Sequence, residues 1–122
     1  MVVRILPQRS ELSDDEIDRV FHALATATRR DILRRTIERE QSVSTLAADY
    51  DMSFAAVQKH VGVLEAAGLI VKRAEGRERL VRADPTMIAR ARALLARYED
   101  LWRARIDRLD ALLAEPEPRP EN

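Results

Sequence analysis

Residues 42–83 read SVSTLAADYDMSFAAVQKHVGVLEAAGLIVKRAEGRERLVRA, and their reading decides the fold. Two apolar sets recur at helical spacing, first Val43, Leu46 and Ala47, then Val57, Val61 and Leu64. Ser42 stands where it can cap a short helix over 43–50, and Ser53 where it can cap a longer one over about 54–66. Tyr50-Asp51-Met52-Ser53 leaves room only for a tight connection between them. Gly68 follows as a residue able to take the left-handed conformation that ends a helix. The period then changes: Leu69 to Arg73 reads as a strand, Glu75-Gly76-Arg77 as a hairpin loop and Glu78 to Ala83 as the return strand. The order is helix, tight turn, helix, arginine-rich hairpin.

Outward from this stretch the chain is mostly helical. Ser13 and Glu16 have capping-box spacing, and Ile17, Val20, Phe21 and Leu24 make one face of a first helix over about 14–24. Thr26 can cap a second helix over 27–39, with Ile32, Leu33 and Ile37 expected inward and its arginines outward. Asp84-Pro85 starts a last helix over about 85–114, roughly 45 Å long at ~1.5 Å per residue. Ile88, Ala91, Leu95, Tyr98, Trp102, Leu109 and Leu112 form a seam on it, broken by Arg105. A seam on so long a helix needs a partner to cover it. The fold class is therefore mainly α with a small β-hairpin, a winged helix-turn-helix of order α-α-α-α-β-β-α with a long C-terminal dimerisation helix. It spans 13–114, with an extended arm at 1–12 and a proline-containing disordered tail at 115–122.

The 122 residues suffice for one domain, and 46% hydrophobic with 34% charged residues fits a folded helical chain. No apolar run reaches the ~20 residues of a membrane span, and the N-terminus is too short for a signal peptide, so a cytoplasmic location is expected. The chain has no cysteine and two histidines, His22 and His60, which excludes disulfides and thiolate metal sites and leaves no metal site or cofactor expected. Net charge is zero, yet 29–82 holds eleven basic residues against eight acidic ones, so the middle is basic and the ends acidic. Without a phosphate loop or a nucleophile paired to a histidine, the chain does not read as an enzyme.

A helix held by its inner face can lay its outer face in the DNA major groove. On that outer face fall Phe54, Ala55, Gln58, Lys59 and Gly62. Gln58 has the donor and acceptor to pair with adenine, Lys59 can reach guanine or phosphate, and Ser53 with the first amides suits a phosphate. His60 reads as a DNA contact at the edge of the inward face, or as a satisfied boundary residue. Phe54 can touch a thymine methyl or pack on the turn, and Gly62 can admit the DNA backbone or be tolerated on a surface. Arg73, Arg77 and Arg79 of the hairpin suit phosphates, which position without reading sequence.

The stretches Phe21 to Leu33, Val43 to Ala47, Met52 to Val61, Leu64 to Ile70 and Glu75 to Glu78 together resemble the ArsR/SmtB family of bacterial repressors over about 14–113. The resemblance implies a homodimer built from the first and last helices, with Ile17 and Phe21 meeting Ile88, Leu95, Tyr98, Trp102 and Leu109. It further implies repression of its own or a neighbouring operon through an imperfect palindrome of double-stranded DNA. The family's Cys-x-Cys metal ligands fall on Ser42 and Ser44, and the last helix has no histidine, so the chain resembles the branch that does not respond to metal. An unidentified small-molecule inducer is left open as a partner. The alternative function is a protein-interaction adaptor that uses the winged scaffold to present its long helix.

Overall fold

The structure, a computed structural model, describes residues 11–114 and 116; most of the arm (1–10) and most of the tail lie outside them. Its elements are α1 (Asp14–Leu24), α2 (Ala27–Glu38), β1 (Gln41–Ser42), α3 (Val43–Ala48), α4 (Phe54–Ala66), β2 (Ile70–Glu75), β3 (Glu78–Ala83) and α5 (Pro85–Ala114). The helix starts follow their caps. The Ser13 side chain accepts from the Glu16 amide while the Glu16 carboxylate accepts from Ser13 N–H, closing the capping box. That backbone bond, reinforced by Arg90, holds the Glu16 carboxyl below its ordinary range despite partial desolvation. Thr26, Ser42 and Ser53 accept from the amides of Arg29, Thr45 and Ala56. At the other end of α4, Leu69 N–H donates to the Leu64 carbonyl and Gly68 N–H to that of Glu65, a Schellman ending with Gly68 at φ +77°.

Val20, Ile32, Leu46, Val57, Val61, Leu64, Leu69, Ile70 and Val81 form the buried core among α1–α4 and the sheet. The sheet has the order β1-β3-β2, antiparallel throughout. Its first strand is absent from the sequence reading. Gln41 and Ser42 pair with Val81 and Leu80, and two residues carry no alternation to detect. The hairpin is tighter than expected. Glu75 pairs with Glu78, so Gly76 and Arg77 alone make the turn, with Gly76 at φ +60°. Helices two and three end at Glu38 and Ala48, short of the expected 39 and 50.

The largest correction concerns α2. Ile37 was expected inside and is 57% exposed, whereas Arg29 is 7% exposed and Thr36 is buried. Helical spacing explains it, because Arg29, Ile32 and Thr36 fall within about 60° on the wheel and Ile37 lies well off that arc. Thr36 is satisfied by donating its hydroxyl to the Ile32 and Leu33 carbonyls.

Candidate nucleic-acid interface

The unit α3–turn–α4 is fixed from behind by polar contacts from α2. Arg35 donates to the Gln41 side chain and pairs with Asp49 at 2.8 Å, and its guanidinium lies over the Tyr50 ring. Tyr50 O–H donates to Asp31, which Arg34 also contacts at 2.7 Å. The Tyr50 bond and then Arg34 hold the Asp31 carboxyl below its usual range, while burial and Asp31 push the Tyr50 hydroxyl up. The turn is thereby tied to α2 at two points.

A second anchor holds α4. Arg29 donates through Nε to the Ala23 carbonyl and through Nη2 to the His22 carbonyl, both at 2.8 Å. Its Nη1 lies 3.1 Å from His60 Nδ1 on α4. Arg30 adds a bond to the Leu24 carbonyl. Two arginines of α2 thus satisfy the last carbonyls of α1, where the helix dipole favours positive charge. Since an arginine only donates, His60 Nδ1 is the acceptor and the ring is neutral. Burial first, and the Arg29 charge second, lower its pKa from the ordinary 6.5.

The opposite flank of α4 faces the wing. Between them opens a cleft of about 510 Å³, lined by Ser44, Phe54, Gln58, Lys72, Arg77 and Arg79 among others. Four of the residues expected to touch DNA (Phe54, Gln58, Arg77 and Arg79) therefore meet at one cleft. Lys59 and Ala55 lie exposed on the outer face of α4, and Ser53 is exposed at its start. Its hydroxyl serves the Ala56 amide, leaving the amides of Phe54 and Ala55 without an intrahelical acceptor. His60 sits on the other flank beside Arg29.

Arg73 is placed elsewhere. Strand side chains alternate between faces, so Lys72 turns toward α4, where it pairs with Glu65 at 3.4 Å, and Arg73 turns away. There Glu40 takes it at 2.6 and 3.1 Å, and Glu75 adds a contact at 3.4 Å. Sequence reasoning missed Lys72 and Ser44; counting alternate positions from the apolar Ile70 would have found the lysine. Lys59, Arg77 and Arg79 carry no ion pair among the described residues.

The expected dimer residues lie on two connected helices. Arg90 contacts Glu16 at 3.3 Å, and Arg97 pairs with Glu11 at 2.7 Å, fastening the first half of α5 to the entry of α1. Ile17 is half-buried and Phe21 exposed. Ile88 is half-buried against the core, but Leu95, Tyr98, Trp102 and Leu109 are exposed, the two aromatics at 60%. Leu101, Ile106, Leu112 and Leu113 widen this apolar surface, and Ile106 continues it past Arg105.

A metal of the kind the family resemblance raises does not fit the donors present. Ser42 Oγ accepts from the Thr45 amide and donates to Thr45 Oγ1 at 2.8 Å, so it is engaged in capping α3. Among the described residues no group of three or more His, Asp or Glu could hold an ion. No described helix is long and apolar enough to cross a membrane.

Residues 24–73 match the family described as a helix-turn-helix domain. The HTH-type transcriptional regulator Rv2034 of Mycobacterium tuberculosis is 40% identical over 81 residues, covering 66% of this chain and 76% of its own. An ArsR-like transcriptional regulator from Rhodococcus sp. RHA1 superposes with a TM-score of 0.71 at 33% identity, covering 83% of this chain and 94% of that one. The homodimeric winged helix-turn-helix DNA-binding domain Mb0332 of Mycobacterium bovis superposes with a TM-score of 0.58 at 28% identity, covering 73% and 88%.

Proposed function

Because this chain belongs to the ArsR-type family of winged helix-turn-helix, DNA-binding transcriptional regulators, we propose that it is a homodimeric repressor of its own or a neighbouring operon. The observation that carries the reading is the cleft between α4 and the wing, where Gln58, Arg77 and Arg79 meet beside the exposed Lys59. Gln58 reads a base in the major groove, and Lys59 reaches guanine or phosphate. Arg77 and Arg79 bind phosphates at the wing, and Ser53 with the free first amides of α4 receives another. Lys72 also lines the cleft but is paired with Glu65, so it is not assigned a phosphate. Arg73 takes no part while Glu40 holds it, and His60 contributes by placing α4 through Arg29.

Dimerisation is assigned to Phe21 and the Leu95–Leu109 surface of α5, with Ile17 and Ile88 at its margin. The homodimeric relative from Mycobacterium bovis supports this, as does the amount of apolar surface α5 leaves uncovered. Two recognition helices related by a two-fold axis would meet successive major grooves about 34 Å apart, hence an imperfect palindrome. Signal reception does not run through a metal in this reading, since serines stand where thiolates would be needed. The work is done on the genome, in the cytoplasm.

Fluorescence anisotropy with duplexes from its own upstream region tests the reading. Preferred binding over random duplex at moderate salt is expected, and equal affinity for both would refute sequence-specific repression. Sedimentation of Trp102→Asp tests the assembly: a monomer is expected, and a persistent dimer removes α5 from the interface. The adaptor reading would gain if that variant stayed dimeric and no duplex were preferred.

A further inference from the structure

The C-terminal turn of α2, the end of β3 and the first turns of α5 enclose a groove of about 730 Å³, apart from the DNA cleft. Its lining includes Ile37, Pro85 and Ile88, while Arg39, Arg82 and Arg92 stand around it against a single carboxylate, Glu40. That carboxylate already accepts two hydrogen bonds from Arg73, which hold it below its ordinary range. Arg39 and Arg92 have no ion pair among the described residues. The groove therefore joins apolar surface to an excess of positive charge. Small-molecule sites are commonly cavities of about 300–1,000 Å³ with apolar walls and a few polar groups that orient the ligand. A guanidinium binds a carboxylate through two parallel hydrogen bonds.

We propose that this groove binds an amphipathic monocarboxylate, with its chain against Ile37 and Ile88 and its carboxylate among Arg39, Arg82 and Arg92. Neither Ile37 nor Arg92 belongs to the DNA cleft or the α5 seam. The groove reaches the root of the wing through Arg82 and the start of α5 through Pro85, so an occupant touches both elements assigned above to DNA and to dimerisation. That regulatory consequence rests on the proposed function; the binding itself does not.

Calorimetric titration of the full chain with decanoate, below its micellar concentration, tests the site. Saturable binding at one decanoate per chain is expected, at least tenfold tighter than decyltrimethylammonium. Ile37→Glu and Arg92→Glu should each weaken decanoate at least tenfold with unchanged melting temperature, both residues being exposed. Equal binding of the two amphiphiles, or decanoate binding untouched by both variants, overturns the proposal. A dimer that dissociates on Ile37→Glu would overturn it too, since a second copy would then fill the groove. Anisotropy on the upstream duplex with and without decanoate tests the consequence separately. A changed affinity supports it, and an unchanged one removes the regulation while the calorimetry still judges the site.

Discussion

The arginines of α2 and the cations of α4 and the wing differ in what they face. Arg29 is buried on the carbonyls of α1, Arg34 bridges Asp31 and Glu38, and Arg35 pairs with Asp49. Lys59, Arg77 and Arg79 face outward and carry no ion pair among the described residues. A count over 29–82 adds both groups together as one basic region. Their partners separate them: Arg29 and Arg35 tie α2 to α1 and to the end of α3, Arg34 is held within its own helix, and Lys59, Arg77 and Arg79 stay unpaired among the described residues. A charge footprint is therefore read from unpaired cations rather than from totals.

The comparison breaks first at Arg29. Arg29→Met should cost about 2–4 kcal/mol in urea unfolding, because two carbonyls and His60 lose a charged donor. A loss under about 0.5 kcal/mol would mean that the buried guanidinium is not structural. Gln58→Ala should leave stability nearly unchanged and erode discrimination between bases by about 1–3 kcal/mol, measured by competition with single-base operator variants. Undiminished discrimination would take Gln58 out of base reading. Arg77→Ala sharpens the contrast from the other side. Its melting temperature should match wild type, with the equivalent of less than about 0.5 kcal/mol lost, while all duplexes bind more weakly in the same proportion.

Two smaller effects probe the faces of α4. A Cβ at Gly62 would meet nothing within 4 Å, so the chain itself gives no reason for glycine there. Gly62→Ala should stabilise by up to about 1 kcal/mol and weaken DNA binding. Stabilisation with unaltered affinity would show that no backbone approaches that spot. On the opposite flank, the lowered pKa keeps His60 neutral in the folded state, while the unfolded chain takes up a proton as pH falls through 6.5. The contribution is fully present above 6.5 and declines as pH drops below it. His60→Gln should flatten the fall in urea midpoint between about pH 7 and 5; parallel profiles for the two proteins would contradict the assignment.

Much of this was legible in the sequence because it is local. Ser13, Thr26, Ser42 and Ser53 cap where hydroxyls before apolar periods are expected to, and Gly68 ends α4 through its left-handed backbone. That Gln58, Arg77 and Arg79 line one cleft follows from helical spacing and a hairpin, which place them without knowledge of partners. What escaped depends on tertiary contacts. Hydrophobicity put Ile37 inside, but Arg29 has an apolar stem and a head that satisfies the end of another helix, so it won the buried arc. Arg73 looked like its neighbours until β1 brought Glu40 beside it, and β1 itself is two residues that acquire meaning only when β3 lies alongside.

The salt dependence of DNA binding tests the central contrast most directly, with the Arg77→Ala/Arg79→Ala double variant and Arg34→Ala measured beside wild type. Each lost phosphate contact lowers the slope of log affinity against log salt by about 0.9. The double variant should therefore show a slope reduced by nearly two per chain, and Arg34→Ala should keep that of wild type. A slope lowered by Arg34→Ala and kept by the double variant would contradict the account, placing DNA on the arginines of α2 instead of on the wing.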